Sequence, residues 1–245
     1  MDGNSCSRTT PAPGGREAGT MAQTDETTAR YGALIVAIAP AVMAAGLVYH
    51  PYITVLFQEG AVAAAVASDT TRWGVAHLTV AVGSGLLLLA FLAIQRYLHA
   101  AGEDRFSAWG LAFIAMGSVL FAVLPGMEFA PLAAAESGGD VQAAQDALQG
   151  WFVPTFVTGS VIFAIGIYLF GKGIVRSGVL SQGSTWLVLG GLAVVAVARF
   201  VPLGAVQFYV QAAAGIVALW PLAYTMWTEP EPPPGGPAEP MQRGT

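Results

Sequence analysis

At 245 residues, 55% hydrophobic and only 10% charged, with a mean hydropathy of +0.61, the chain departs from soluble-protein averages in the direction of a polytopic membrane protein. Its net charge of −5, with basic residues scattered through loops, leaves no basic patch and no case for a nucleic-acid partner. The single cysteine, Cys6, excludes an intramolecular disulfide and any zinc cluster built from several cysteines.

Residues 1–29 are polar and rich in Thr, Gly and Pro. They lack the apolar core of a signal peptide and carry no apolar run before Cys6 that would suit a lipid-anchored cysteine, so a disordered cytoplasmic tail is expected. Met1 and Met21 are alternative start residues. Nine Arg against one Lys, with abundant Ala, Gly and Val, suggests a GC-rich coding genome and a bacterial source.

The first expected span runs from Tyr31 to Tyr49, with Pro40 in its middle removing one backbone donor. A connection follows that holds Glu59 and an AVAAAVA segment too short to cross a bilayer. Ser68, Asp69 and Thr70 supply N-cap chemistry for the second span. That span, Trp73 to Ile94, is the clearest membrane signal: twenty-two residues without Asp, Glu, Lys or Arg, with His77 the only ionisable group. At ~1.5 Å per residue this suffices for a ~30 Å hydrocarbon core. A short basic loop, Arg96 to Ser107, leads to a third span at Trp109–Leu124, which Pro125 and Gly126 are expected to end. In 127–150 the DVQAAQDALQ portion predicts a short helix lying on the membrane or packed over the bundle. The fourth span, Trp151–Phe170, carries Pro154 in its first turn. Lys172 and Arg176 mark another basic loop before the fifth span, Thr185–Arg199, and a tight turn at Val201–Gly204 opens the sixth, Ala205–Trp227. From Thr228 onward Pro and Gly dominate, and a second disordered cytoplasmic tail (228–245) is expected.

The expected fold is therefore all-α: a bundle of six transmembrane helices within 30–227 in a bacterial cell membrane, with the lipid bilayer as its main partner. Both termini are assigned to the cytoplasm, because the tails and the loops after spans two and four hold eight of the ten basic residues. Tyr31, Trp109 and Trp186 open odd-numbered spans at spacings of 78 and 77, and Trp73 and Trp151 open even-numbered ones 78 apart. Three successive hairpins with parallel symmetry would produce this pattern, and so would the general preference of aromatic residues for interfaces.

This topology gathers the rare polar residues at the outer end. His50 closes the first span, His77 lies one turn inside the second, Glu128 follows the third, Arg199 ends the fifth, and Gln207 and Gln211 share a face at the start of the sixth. Ionisable groups in apolar helices are costly and face the bundle or a wet cavity. An outward-opening polar pocket is the resulting expectation, with an Arg199–Glu128 ion pair as its simplest internal contact. The alternative has Arg199 snorkelling to headgroups and Glu128 solvated. For the two histidines, a structural or interfacial role stands beside a ligand-binding one.

Three function classes follow. The first is a transporter or small-solute or ion binder using this pocket, with no enzymatic activity and no cofactor. The second is a scaffold or accessory subunit that binds another membrane protein, or a second copy of itself, through the outer segments 51–72 and 125–150. The third is a haem or metal enzyme using His50, His77 and Glu128, which have the composition of an iron triad but no HExxH, CxxCH or HxxxH spacing. An intramembrane serine protease is disfavoured, because Val82 replaces the first glycine of GxSG before Ser84 and Ser160 is followed by Val161.

Overall fold

The computed structural model describes residues 15–56 and 58–230, with side chains from residue 27 onward. The described residues are helical apart from connections and one isolated antiparallel bridge. Eight α-helices follow in order: α1 (Gly15–Tyr49), α2 (Ala61–Ser68), α3 (Thr70–Ala100), α4 (Arg105–Met127), α5 (Phe129–Ser137), α6 (Val141–Ser177), α7 (Gln182–Ala198) and α8 (Gln211–Thr228). A π-helical turn, Ala205–Val210, leads into α8.

Five helical segments are long and apolar enough to cross a membrane: Thr27–Tyr49, Thr70–Ala100, Arg105–Ser137, Val141–Ser177 and Ala205–Thr228. The segment Gln182–Ala198 is apolar but shorter. Large apolar side chains such as Leu78, Val119, Tyr168 and Val197 point outward, as suits a protein surrounded by lipid. The helices pack α1 along α3, α4 along α6 and α7 along α8, with α1 also against α8 and α3 against α4. The core between them runs through Val36, Ile94, Ile114, Phe163, Phe170 and Leu222, and Phe91 meets Phe163 and Phe170 edge-on.

Several boundaries differ from the sequence expectation, each for a local reason. α1 begins at Gly15, so residues 15–29 are helical where a disordered tail was expected. Extending a helix that already exists costs far less than nucleating one, and Glu17, Ala18, Met21, Ala22, Gln23 and Ala29 are all compatible with extension. Residues 1–14 and 231–245, which include Cys6 and most of the second expected tail, lie outside the described residues. The loop expected at Arg96–Ser107 shrinks to 101–104. Glu103 explains its abrupt end: its buried carboxylate accepts from Phe106 N at 2.7 Å and Ser107 N at 2.9 Å, satisfying free donors at the start of α4.

Pro125 does not end α4, which continues to Met127. The largest departure is α6. The DVQAAQDALQ portion is not a separate surface helix but the first turns of one 37-residue helix, about 55 Å long at 1.5 Å per residue. Pro154 removes only its own hydrogen bond to the carbonyl of Gly150, an exposed residue. The Asp69 cap is as expected, its side chain accepting from Arg72 N at 2.8 Å. The tight turn expected at 201–204 falls instead at 199–200; Leu203 then forms an antiparallel bridge with Val55, and the segment clasps the 51–58 connection through Leu56 N to Pro202 O (3.2 Å) and Gly204 N to Thr54 O (3.0 Å). Only glycine fits at 204, where a Cβ would overlap the Ile53 carbonyl oxygen.

Candidate functional site

One end of the bundle, where α1 and α4 finish and α3, α6 and the π-helical turn begin, encloses a cavity of about 530 Å³. That is ample for a small organic molecule. Of the six residues singled out in the sequence, His50, His77, Glu128, Gln207 and Gln211 line it and Arg199 does not. All six are buried.

The histidines sit in an aromatic cluster. The His50 ring stacks on Phe208 at 4.5 Å and meets His77 at 4.8 Å and Trp73 at 4.9 Å. Trp73 in turn packs on His77 at 4.3 Å and donates its indole N–H to the Glu128 carbonyl at 3.1 Å. Each imidazole has its Nδ1 against a backbone carbonyl, Pro51 O at 2.7 Å for His50 and Trp73 O at 2.8 Å for His77. A carbonyl only accepts, so Nδ1 carries the proton in both rings, and Nε2 of a neutral ring is an acceptor. Burial, with His77 alongside, holds His50 well below the usual imidazole range, so it is neutral at physiological pH.

Glu128 is 7% exposed. The Gln145 side chain lies beside its carboxyl, and Glu128 Oε2 and Gln145 Oε1 have no hydrogen-bond partner. Gln211 Oε1 is likewise unpartnered. Gln207 is committed elsewhere: its amide nitrogen donates to Arg199 O at 2.9 Å and Val201 O at 3.1 Å, closing the free carbonyls at the end of α7. Ser84, on the His77 face in sequence, turns back to the Val80 carbonyl at 2.9 Å and does not line the cavity.

The expected Arg199–Glu128 ion pair does not form. The Arg199 guanidinium lies between two phenyl rings, 3.7 Å from the centroids of both Phe121 and Phe163, and its Nε and Nη1 have no hydrogen-bond partner. Phe121 also lines the cavity, so its ring screens the cation from that space. Neither does Arg199 snorkel outward, being 3% exposed. Two aromatic faces in a dry site supply about 2 kcal/mol or more of cation–π attraction. Planarity and weak hydration favour guanidinium over ammonium there. In detergent denaturation, Arg199→Lys should therefore destabilise the protein by about 1–3 kcal/mol, whereas Arg199→Met, which removes an unpaired buried charge, should be near neutral or stabilising. Equal losses for both would contradict this account of the sandwich.

Among the described residues no three His, Cys, Asp or Glu side chains converge as a metal-binding group, so the triad expected of His50, His77 and Glu128 is not assembled. The cavity instead has a wall the sequence reading missed. Gln142, Gln145, Asp146, Gln149, Phe152, Val153 and Phe156 of α6 all line it. Their spacing of three and four residues is the mark of a single helical face. The stripe runs unbroken from the segment read as a surface helix into the segment read as a span, which is why it was divided.

No family model, curated protein or solved structure matches the chain.

Proposed function

We propose that this chain is a six-span protein of a bacterial cytoplasmic membrane, both ends cytoplasmic, whose outward-facing cavity binds a small solute as the binding site of a transporter or solute-binding membrane protein. The six-span count takes α7 as a crossing. Its 17 residues cover about 26 Å, and a bilayer accommodates a mismatch of a few ångströms at modest cost. The orientation rests on charge: Arg30, Arg96, Arg105, Lys172 and Arg176 belong to the end opposite the cavity, and among the described residues Arg72 is the only Lys or Arg besides buried Arg199 at the cavity end.

The observation that carries the functional reading is a cavity of about 530 Å³ lined by aromatic side chains and by Glu128, Gln145 and Gln211, each of which holds a buried polar atom without a hydrogen-bond partner. Such atoms cost free energy unless something meets them. A bound solute is the economical explanation.

In a Cys6→Ser background, Gln149→Cys at the cavity rim should react with a membrane-impermeant maleimide added to intact cells. In lipid nanodiscs, at least one of phenylbutylamine, phenylbutanol and phenylbutyrate should bind saturably by titration calorimetry, and the attached maleimide should abolish that binding. Labelling only after permeabilisation would overturn the orientation, and the absence of binding by all three would overturn the function.

A further inference from the structure

We infer that the solute is an organic cation, an amphiphile with a primary or secondary ammonium group held at Glu128 and an apolar body lying along the aromatic wall of α6. The inference rests on the proposed solute-binding cavity and specifies its ligand.

Its starting point is the sign of the unmet hydrogen-bonding capacity. The unpartnered buried atoms of residues lining the cavity are Glu128 Oε2, Gln145 Oε1 and Gln211 Oε1, and every one is an acceptor. The two imidazoles add to the same side of the balance, since their Nδ1 protons are spent on Pro51 O and Trp73 O. A ligand that satisfies this set must bring donors. An ammonium group brings two or three N–H groups and a positive charge, while a hydroxyl brings one donor and a carboxylate none. Burying a carboxylate is costly unless a cation accompanies it, and among the described residues no cationic side chain lies within ion-pair distance of Glu128.

Charge around the opening agrees. Glu59 and Asp146 line the cavity and are exposed at its rim, and among the described residues no Lys or Arg lines it. One buried carboxylate with two more at the rim of a concave opening raises the local concentration of cations. Two cations would favour an anion: Arg72, whose guanidinium donates to the Tyr49 and His50 carbonyls and does not line the cavity, and Arg199. The Arg199 guanidinium lies behind Phe121 and is occupied by two aromatic faces, so it presents no donor to the cavity. The apolar part of the ligand has its own place: Phe152 and Phe156 lie with their rings parallel, 6.4 Å apart between centroids, on the same helical face as Gln145. Aromatic rings tolerate a nearby ammonium through cation–π attraction and an alkyl or aryl chain through dispersion.

The test is a comparison of three probes of nearly equal size, phenylbutylamine, phenylbutanol and phenylbutyrate, on the full chain in lipid nanodiscs by titration calorimetry, with protein-free nanodiscs subtracted. The amine should bind at least ~10-fold more tightly than the alcohol, because a charge-assisted hydrogen bond is about twice as strong as a neutral one, and the carboxylate should bind most weakly. In Glu128→Gln the amine's advantage should fall to within ~3-fold of the alcohol. If the alcohol binds as tightly as the amine, or the carboxylate binds best, the cation assignment is overturned while the cavity keeps its solute-binding role. If none of the three binds, that role fails and the assignment with it. Should Glu128→Gln not fold, the ranking of the probes on the unaltered chain still decides the question. An amine preference undiminished in a folded Glu128→Gln variant places the cation elsewhere and overturns the role given to Glu128.

Discussion

Gly166→Leu should prevent α4 and α6 from packing, with a loss of more than ~3 kcal/mol in denaturant unfolding from mixed micelles or outright failure to accumulate. A Cβ at Gly166 would stand 2.8 Å from both Ile114 N and Ile114 Cγ1 and 3.1 Å from the Gly110 carbonyl oxygen. Backbone cannot yield as a flexible side chain can, so even Gly166→Ala should cost about 1–3 kcal/mol. The position belongs to a series. Gly159, Gly166 and Gly173 recur every seven residues along α6 and meet Leu120, Ile114 and Glu103 of the facing segment, while Gly110 and Gly117 of α4 lie against the backbone of Phe170 and Phe163. In lipid there is no hydrophobic drive to bring helices together, so close backbone approach supplies the packing energy instead. Gly190 is the control: nothing lies within 4 Å of a Cβ built there. Gly190→Ala should leave stability unchanged or raise it by up to ~1 kcal/mol through reduced chain entropy. Equal effects at 166 and 190 would mean that the glycines do not set the interface.

Trp73→Ala should cost about 3–5 kcal/mol of unfolding free energy and disorganise the cavity wall with it. The indole is 1% exposed, shares a cluster with Ile53, Val66 and Leu132, and stacks against both cavity histidines. Its N–H is also the direct tie between α3 and the Glu128 backbone at the end of α4. Trp73→Phe separates these roles. It retains a buried ring but strands the Glu128 carbonyl, so a smaller cost of about 1–3 kcal/mol is expected. Thermal unfolding in detergent, read by circular dichroism, ranks the two variants. A Trp73→Phe protein as stable as the parent would show that the hydrogen bond to Glu128 is dispensable.

These two sites differ in how visible they are beforehand. Glycines in apolar spans suit close packing or motion alike, and nothing in the sequence divides Gly83, Gly85, Gly159, Gly166, Gly190 and Gly191 between the two. The structure divides them: Gly85 and Gly190 face open space, while Gly83, Gly159, Gly166 and Gly191 each meet a neighbouring helix. Which face of a helix is covered depends on the neighbour, and a glycine carries no side chain whose polarity would reveal it.

What the sequence determined by itself is the solvent and the class of fold. Long runs without charge can be stable only where backbone groups satisfy one another, which means helices in lipid. Rarity also singled out His50, His77, Glu128, Gln207 and Gln211, because an ionisable or amide group among apolar residues is costly wherever it lies. Partnership was decided by tertiary structure alone. Arg199 and Glu128 have opposite charges and belong to the same end of the bundle, yet Phe121 stacks on the guanidinium, and shape overrules the attraction that composition suggested. The continuation of α6 through Pro154 is the same kind of decision: local propensity favours a break, but α6 packs on α2 and α5 as well as along α4, and these contacts hold it continuous. That continuity carries Gln145 to Glu128, and side chains from distant parts of the chain complete the cavity because the fold, not their spacing in sequence, brings them together.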